Sequence, residues 1–148
     1  MSGKRVLDAP LIEAYKQTHY KVNSDHGAFT LKIGMFSAEL DALQRSHSVS
    51  GSAFITAWNP YGEPLNAADN QTAHARLVAE LTEAGFYFMP GIGEDPSGAW
   101  TGEESVLIVG IDESKAIELG ARYRQNAIVY ADCNAVPALL YPTFGEAH

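Results

Sequence analysis

The stretch that decides the fold is Ser52-Ala53-Phe54-Ile55-Thr56-Ala57-Trp58, a β-branched and aromatic run near the middle of the chain. Such a run is typical of a buried strand. A helical pattern follows over residues 66–84 and ends at Gly85, a residue suited to the left-handed conformation that closes a helix. These two segments together therefore predict a strand followed by a crossover helix.

The remaining pattern downstream repeats this unit. Strands are predicted over residues 86–89 and 105–111, then a helix over residues 113–124 and a strand over residues 126–131. The order β-α-β-β-α-β is that of the split βαβ, or ferredoxin-like, arrangement, so the predicted fold class is α+β. A different α+β sandwich built from the same elements is the alternative.

The N-terminal part adds a helix, a hairpin and a short helix. The first helix is predicted to begin near Asp8, strands over residues 19–22 and 28–33 flank a hairpin loop, and Ser37 caps a helix that runs through Arg45. The sequence contains no repeat, low-complexity tract or linker. We therefore expect residues 1–148 to form a single globular domain.

Composition and charge exclude several classes of partner. The formal net charge of −8 argues against binding to nucleic acid or to an anionic membrane, which depends on basic patches. No apolar run approaches the ~20 residues of a membrane span, and no secretion signal precedes the first helix. The single cysteine, Cys133, is expected to be a buried structural residue, and its solitude favours a reducing cytoplasm.

Sequence-distant polar segments converge if the predicted strand order is correct. Two right-handed crossovers place the first and third strands at the centre of the sheet, antiparallel to each other, with the fourth beside the first. Residues 58–60 then meet both residues 125–126 and residues 103–105. Residues 90–91 belong at the same edge. This end of the sheet is the predicted location of a site.

The helix over residues 66–84 indicates the same end. At 100° per residue, Asn66, Asn70 and His74 share a face with Leu77 and Leu81, so polar side chains occupy half of the inward face. Buried amides need partners. Either they line a pocket, or Asn66 caps the helix while Asn70 and His74 satisfy backbone groups of the loop at residues 60–64.

Charged and aromatic residues complete the candidate site. The helix over residues 113–124 directs Arg124 to the same end, where it forms a salt bridge with Glu103 or Glu104 or binds an anionic group. Glu103 and Glu104 are adjacent and point to opposite faces of a strand. Trp58 and Trp100 offer stacking surfaces or pack in the core. Residues 91–98 read as a mobile surface loop or a lid.

Motifs for catalysis or cofactor binding are absent from the sequence. The glycines of residues 91–98 lack the basic residue of a phosphate loop, and the five histidines are too dispersed for a zinc site. Ser105 and Cys133 have no identifiable activating base. We expect no metal and no cofactor, and an enzymatic role is left open, with Glu103 or Glu104 as the lone general base of a catalytic variant.

Three segments carry a resemblance to a known family. They are residues 53–60, with Thr-Ala-Trp-Asn-Pro at their end, Pro90-Gly91, and residues 125–129, Gln-Asn-Ala-Ile-Val. Together with Asn70 and the Glu104-Ser105 step, they resemble the bacterial domain-of-unknown-function family numbered 3293 over roughly residues 15–137. The resemblance implies a small bacterial protein and no particular activity, cofactor or catalytic residue.

The sequence thus predicts a protein that binds a small polar molecule, of nucleobase, amino acid or sugar type, in an Asn/Gln-rich pocket. The alternative is an interaction module that forms a homodimer through a sheet edge without ligand chemistry. The residues predicted to bind the ligand are Trp58, Asn59, Asn70, Trp100, Glu104, Arg124, Gln125 and Asn126.

Overall fold

The computed structural model describes residues 7, 9–25, 27–99 and 102–142. Over these residues the chain is a mixed α+β protein in which one seven-stranded antiparallel sheet, of order β2-β1-β4-β5-β3-β6-β7, packs against helices. The elements are α1 (Ala9–Gln17), β1 (His19–Ser24), β2 (Gly27–Leu31), α2 (Ala38–Ser46), β3 (Ser52–Thr56), a single 3-10 turn (Pro60–Gly62), α3 (Ala67–Ala84), β4 (Tyr87–Glu94), β5 (Glu103–Val109), α4 (Glu113–Arg122), β6 (Ile128–Ala131) and β7 (Ala138–Leu140).

The deciding run forms β3, an interior strand that lies next to the central strand β5 of the described sheet. It pairs with β5 from Ser52↔Val109 to Thr56↔Ser105, and on its other side with β6. These are the two neighbours that the crossover argument predicts for it. Ala53, Phe54 and Ile55 are all buried, as expected for a strand covered on both faces.

Two hydrophobic clusters lie on opposite faces of the sheet. On the first face Leu77 and Leu81 of α3 pack with Ala116 and Leu119 of α4 against strand residues such as Ile55. On the second face the cluster includes Leu40 of α2 together with buried strand residues including Tyr20, Val22, Phe54 and Leu107. Alternation along β3 and β5 therefore decides which side chains meet the helices α3 and α4, and which face away from them.

The helix ends follow their sequence signals. The side chains of Ser37, Asn66 and Asp112 accept hydrogen bonds from backbone N–H groups three residues ahead, as N-cap residues do. Gly85 closes α3 with a φ of 81°, the left-handed conformation that glycine adopts without strain. None of the described helices is long and apolar enough to cross a membrane.

One predicted loop is a strand in the structure, and one strand was not predicted. Residues 91–94, expected in a surface loop or lid, extend β4, because β1 and β5 pair with them on either side. Gly91 is required there, since a Cβ atom would lie 2.7 Å from Cε2 of Phe54 and 2.8 Å from the carbonyl oxygen of Lys21. The short β7 was not predicted at all.

Two expectations near the C-terminal part are wrong. Cys133 is exposed rather than buried. Helix α4 ends at Arg122, two residues before the predicted end, and Arg124 has a left-handed φ of 57°. The helical-face argument for Arg124 therefore does not apply.

Candidate functional site

A cavity of about 650 Å³ lies over the second face of the sheet, at the end where the polar segments converge. Its walls come from α1, from β1, β3, β4, β5 and β6, from the loop between β3 and α3, and from β7. Small-molecule sites typically have volumes of ~300–1,000 Å³. The cavity is therefore large enough for a metabolite-sized ligand.

Asn59 and Asn70 form a reciprocal pair at the cavity wall. The backbone N–H of Asn59 donates to Oδ1 of Asn70 at 2.9 Å, and Nδ2 of Asn70 donates to Oδ1 of Asn59, also at 2.9 Å. Nδ2 of Asn70 also donates to the carbonyl oxygen of Leu65 at 3.3 Å. Asn59 adopts a φ of 46°, a left-handed conformation that asparagine tolerates better than most residues. The pair holds the segment that follows β3 against the first turns of α3.

Glu103 is the acidic residue of the cavity. One carboxylate oxygen accepts a hydrogen bond from Nδ2 of Asn59 at 2.8 Å, the one donor to this carboxylate within the described ranges. Burial raises the pKa of Glu103 above its ordinary value of 4.5, and the bond from Asn59 opposes that rise. No Lys, Arg or His is among the cavity-lining residues of the described chain. Within the part of the chain that the structure describes, the carboxyl group therefore has no counter-cation.

Two tyrosines stand beside this carboxyl group. The hydroxyl of Tyr20 donates to the carbonyl oxygen of Tyr15 at 2.6 Å, and the hydroxyl of Tyr15 accepts from Nδ2 of Asn126 at 3.1 Å. Burial is the main cause that raises the pKa of both phenols, and the nearby charge of Glu103 raises them further. Both are neutral at physiological pH, so Glu103 alone gives the cavity wall its charge.

Trp58 supplies an unused hydrogen-bond donor. Its side chain lines the cavity, and its indole Nε1 is buried without a hydrogen-bond partner in the described part of the chain. Buried polar atoms in folded proteins are normally paired, and an orphaned one costs about 1–3 kcal/mol. The Nε1 atom has essentially no accessible surface, so it is not itself exposed to the cavity.

The other predicted amides are already engaged. Nε2 of Gln125, which lines the cavity, donates to the carbonyl oxygens of Trp58 at 3.2 Å and Tyr123 at 3.1 Å. Asn126 is buried and binds Tyr15. Asn66 caps α3, as one of the two interpretations expected. Most of the amide groups thus hold the site together, which leaves Glu103 as the charged group available to a ligand.

Three of the predicted residues that the structure describes, Glu104, Arg124 and Asn126, are not among those that line the cavity. Glu104 lies on the opposite face, where Oε2 is 3.4 Å from Nε2 of His74 and Oε1 accepts from Gln71 at 3.1 Å. Arg124 is exposed and, within the described ranges, forms no ion pair with Glu103 or Glu104. Trp100 lies outside the described residues.

Sequence reasoning missed the contributions of Glu103, Tyr15 and Tyr20 to one cavity. Part of the signal was available, because period-two counting from Leu107 places Glu103 and Ser105 on the face opposite α3 and α4. Nothing in the sequence indicated that α1 covers that face. The helix has no fully buried residue that would have marked its docking side.

The chemistry available to the site is that of one carboxyl group in an apolar, aromatic surrounding. The described residues contain no group of three or more His, Cys, Asp or Glu side chains that would hold a metal ion. Glu103 accepts or releases a proton, and its carboxylate accepts hydrogen bonds. The arrangement suits recognition of a ligand that presents a hydrogen-bond donor to the carboxyl group and an apolar body to the walls.

Comparison with known proteins gives a family without an assigned activity. No curated protein and no solved structure matches the chain. The profile of the family described as "Protein of unknown function (DUF3293)" matches residues 55–128, which is half of the chain and includes Asn59, Asn70, Glu103 and Gln125. The chain therefore belongs to the DUF3293 family of proteins of unknown function.

Proposed function

We propose that this protein binds a small molecule in the cavity between α1 and the second face of the sheet. The observation that carries the proposal is a cavity of about 650 Å³ whose largely apolar and aromatic wall contains the carboxyl group of Glu103, which has no ion-pair partner within the described ranges. Within those ranges only one of its two oxygens accepts a hydrogen bond, from Asn59, so the other oxygen is available to a ligand. Mostly apolar walls with a few convergent polar groups are the usual form of a ligand site.

The polar contacts within the wall support a rigid, preorganised site. Asn59 connects Glu103 to Asn70, so the carboxyl group is oriented by a side chain that α3 itself fixes. Gln125 holds the carbonyl oxygen of Trp58 and so restrains the backbone that carries the indole. Preorganised groups lose little entropy when a ligand binds.

A cavity-filling substitution tests the site. Ala14 lines the cavity from α1, and Ala9, on the same helix, does not. We expect the neutral fluorescent probe N-phenyl-1-naphthylamine to bind wild type and Ala9→Phe with one saturable site, and Ala14→Phe about tenfold more weakly or not at all. Probe binding that is absent from wild type, or equal in the two variants, would overturn the proposal.

A metabolite panel then addresses the chemical class. Thermal-shift measurements with nucleobases, amino acids and sugars use the same pair of variants. A true ligand stabilises wild type and Ala9→Phe and fails to stabilise Ala14→Phe. A compound that stabilises all three equally binds elsewhere on the protein.

A second candidate function is association of two chains through a sheet edge. Over the described residues, β2 and β7 each pair on one side only, which leaves backbone groups available to another strand. Met35 and Phe36, close to the β7 end, are 58% and 60% exposed. Light scattering over a concentration series tests this candidate, and a mass that stays at that of one chain eliminates it.

We also propose two expectations from the sequence analysis: the split βαβ arrangement and a bacterial, cytoplasmic origin. The strand order β4-β5-β3-β6, with α3 and α4 on one face, supports the split βαβ arrangement for this part of the fold. The family resemblance and the single cysteine support a bacterial cytoplasmic protein.

A further inference from the structure

The described wall of the cavity contains an acidic side chain and no basic one. Glu103 is the only acidic residue of the described cavity wall, and no basic residue lines it. Within the described ranges, no ion pair includes Glu103. A buried carboxylate without a counter-cation is unfavourable, so the unliganded site has an unmet demand for positive charge.

Aromatic side chains in the cavity wall would also attract a cation. Tyr15, Tyr20, Phe54 and Trp58 all line the cavity. The faces of such rings attract cations within ~6 Å, and the attraction grows when the cation is removed from water. Anionic ligands meet the opposite conditions, because no group of the described wall would compensate their charge and Glu103 would repel them.

We propose that the ligand is an organic cation, a protonated amine on an apolar body, with its ammonium group against Glu103 and its body against the aromatic walls. This inference rests on the proposed function and narrows it to a chemical class. The ammonium group supplies the donor and the charge that Glu103 lacks, while the aromatic walls enclose the apolar body. The net charge of −8 on the whole chain favours the approach of cations as well.

Burial of the carboxyl group is consistent with this class. The raised pKa of Glu103 reflects the cost of the unpaired charge in the cavity. An ammonium group at hydrogen-bond distance from the carboxylate removes that cost and lowers the pKa again. Binding of the cation therefore favours the ionised form of Glu103.

Three ligands with the same body test the class: 4-phenylbutylamine, 4-phenylbutanol and 4-phenylbutyrate, which are cationic, neutral and anionic near neutral pH. Isothermal titration gives their affinities for wild type, for Glu103→Gln and for the matched control Glu104→Gln. Glu104 is the adjacent residue of β5, on the opposite face. The two substitutions remove the same charge at neighbouring positions, and only one of them faces the cavity.

We expect wild type and Glu104→Gln to bind the amine about tenfold or more tightly than the alcohol, the value of one charge-assisted hydrogen bond. The carboxylate should bind more weakly than both. In Glu103→Gln the preference for the amine over the alcohol should fall to about threefold or less. The comparison of ligands on wild type needs no variant, so the proposal is tested even if Glu103→Gln does not fold.

The outcomes separate this inference from the proposed function. If the naphthylamine probe binds in the cavity and the amine shows no preference over the alcohol, the cavity is a site and the cationic class is wrong. If the probe and all three ligands fail to bind, the proposed function itself fails. If the amine binds wild type and Ala14→Phe equally, it binds outside the cavity and the inference is overturned.

Discussion

The hydrogen bonds between Asn59 and Asn70 predict how much the free energy of unfolding falls when Asn70 is replaced by alanine. Asn70 is only 2% exposed and makes hydrogen bonds of 2.9, 2.9 and 3.3 Å. Each such bond contributes about 0.5–1.5 kcal/mol net, and Asn70→Ala removes all three while leaving the backbone N–H of Asn59 without its acceptor. The higher helix propensity of alanine returns about 0.5–0.7 kcal/mol. We expect a net loss of about 3 kcal/mol in the free energy of unfolding.

Urea denaturation and thermal unfolding measure this loss. For a chain of this size, ~3 kcal/mol corresponds to a decrease in Tm of about 6–12 °C. The control is Thr72→Ala, two residues along α3, where an exposed hydroxyl bonds only to the carbonyl oxygen of Ala68. It should change the stability by less than ~0.5 kcal/mol. If Asn70→Ala costs no more than the control, the pair does not hold β3 to α3 and the argument for a preorganised site loses its basis.

Three further substitutions test the fold and the electrostatics. Gly91→Ala should destabilise the protein by about 1–3 kcal/mol in urea, because its Cβ would approach Phe54 to 2.7 Å, whereas Gly93→Ala, with no contact below 3.8 Å, should cost much less. Equal losses would contradict the packing described for β4. Gly85→Ala should lose about 1 kcal/mol in thermal unfolding, since alanine is strained at a φ of 81°, and an unchanged Tm would refute this. The carboxyl of Glu103 has a raised pKa, so its contribution to stability is complete below about pH 4.5 and is lost as the pH rises through the folded-state pKa. Glu103→Gln, which does not titrate, should therefore become more stable relative to wild type as the pH increases, and a pH-independent difference would exclude this effect.

The central strands were predictable because their signals are local and strong. The run that forms β3 is apolar on both faces, and the caps of α3 at Asn66 and Gly85 appear directly in the sequence. Their antiparallel order then follows from the handedness of crossovers, which brings Asn59 to Glu103 and Gln125 to Trp58.

The cavity was not predictable because it depends on tertiary contacts without a sequence signature. Residues 90–94 contain proline and two glycines, which rarely form strands, and they extend β4 only because both neighbouring strands pair with them. Arg124 left the predicted helical face because α4 ends at Arg122. The amide cluster was found, yet its donors bind within the protein, and the buried side-chain atoms left unpaired among the described residues are the indole Nε1 of Trp58 and Nδ1 of His74.

Gly93 lies at a point of the cavity wall where a side chain would reduce the space available to a ligand. It contributes bare backbone to the cavity wall, and a side chain there would begin in open space, 3.8 Å from the methyl group of Thr18. Larger residues at this position would take volume from the ligand while the backbone pairing of β4 with β1 and β5 stayed intact. If the proposed site binds a ligand, the side chain at residue 93 would limit the length of molecule that fits, and a series of substitutions from alanine to leucine would shorten the cavity stepwise.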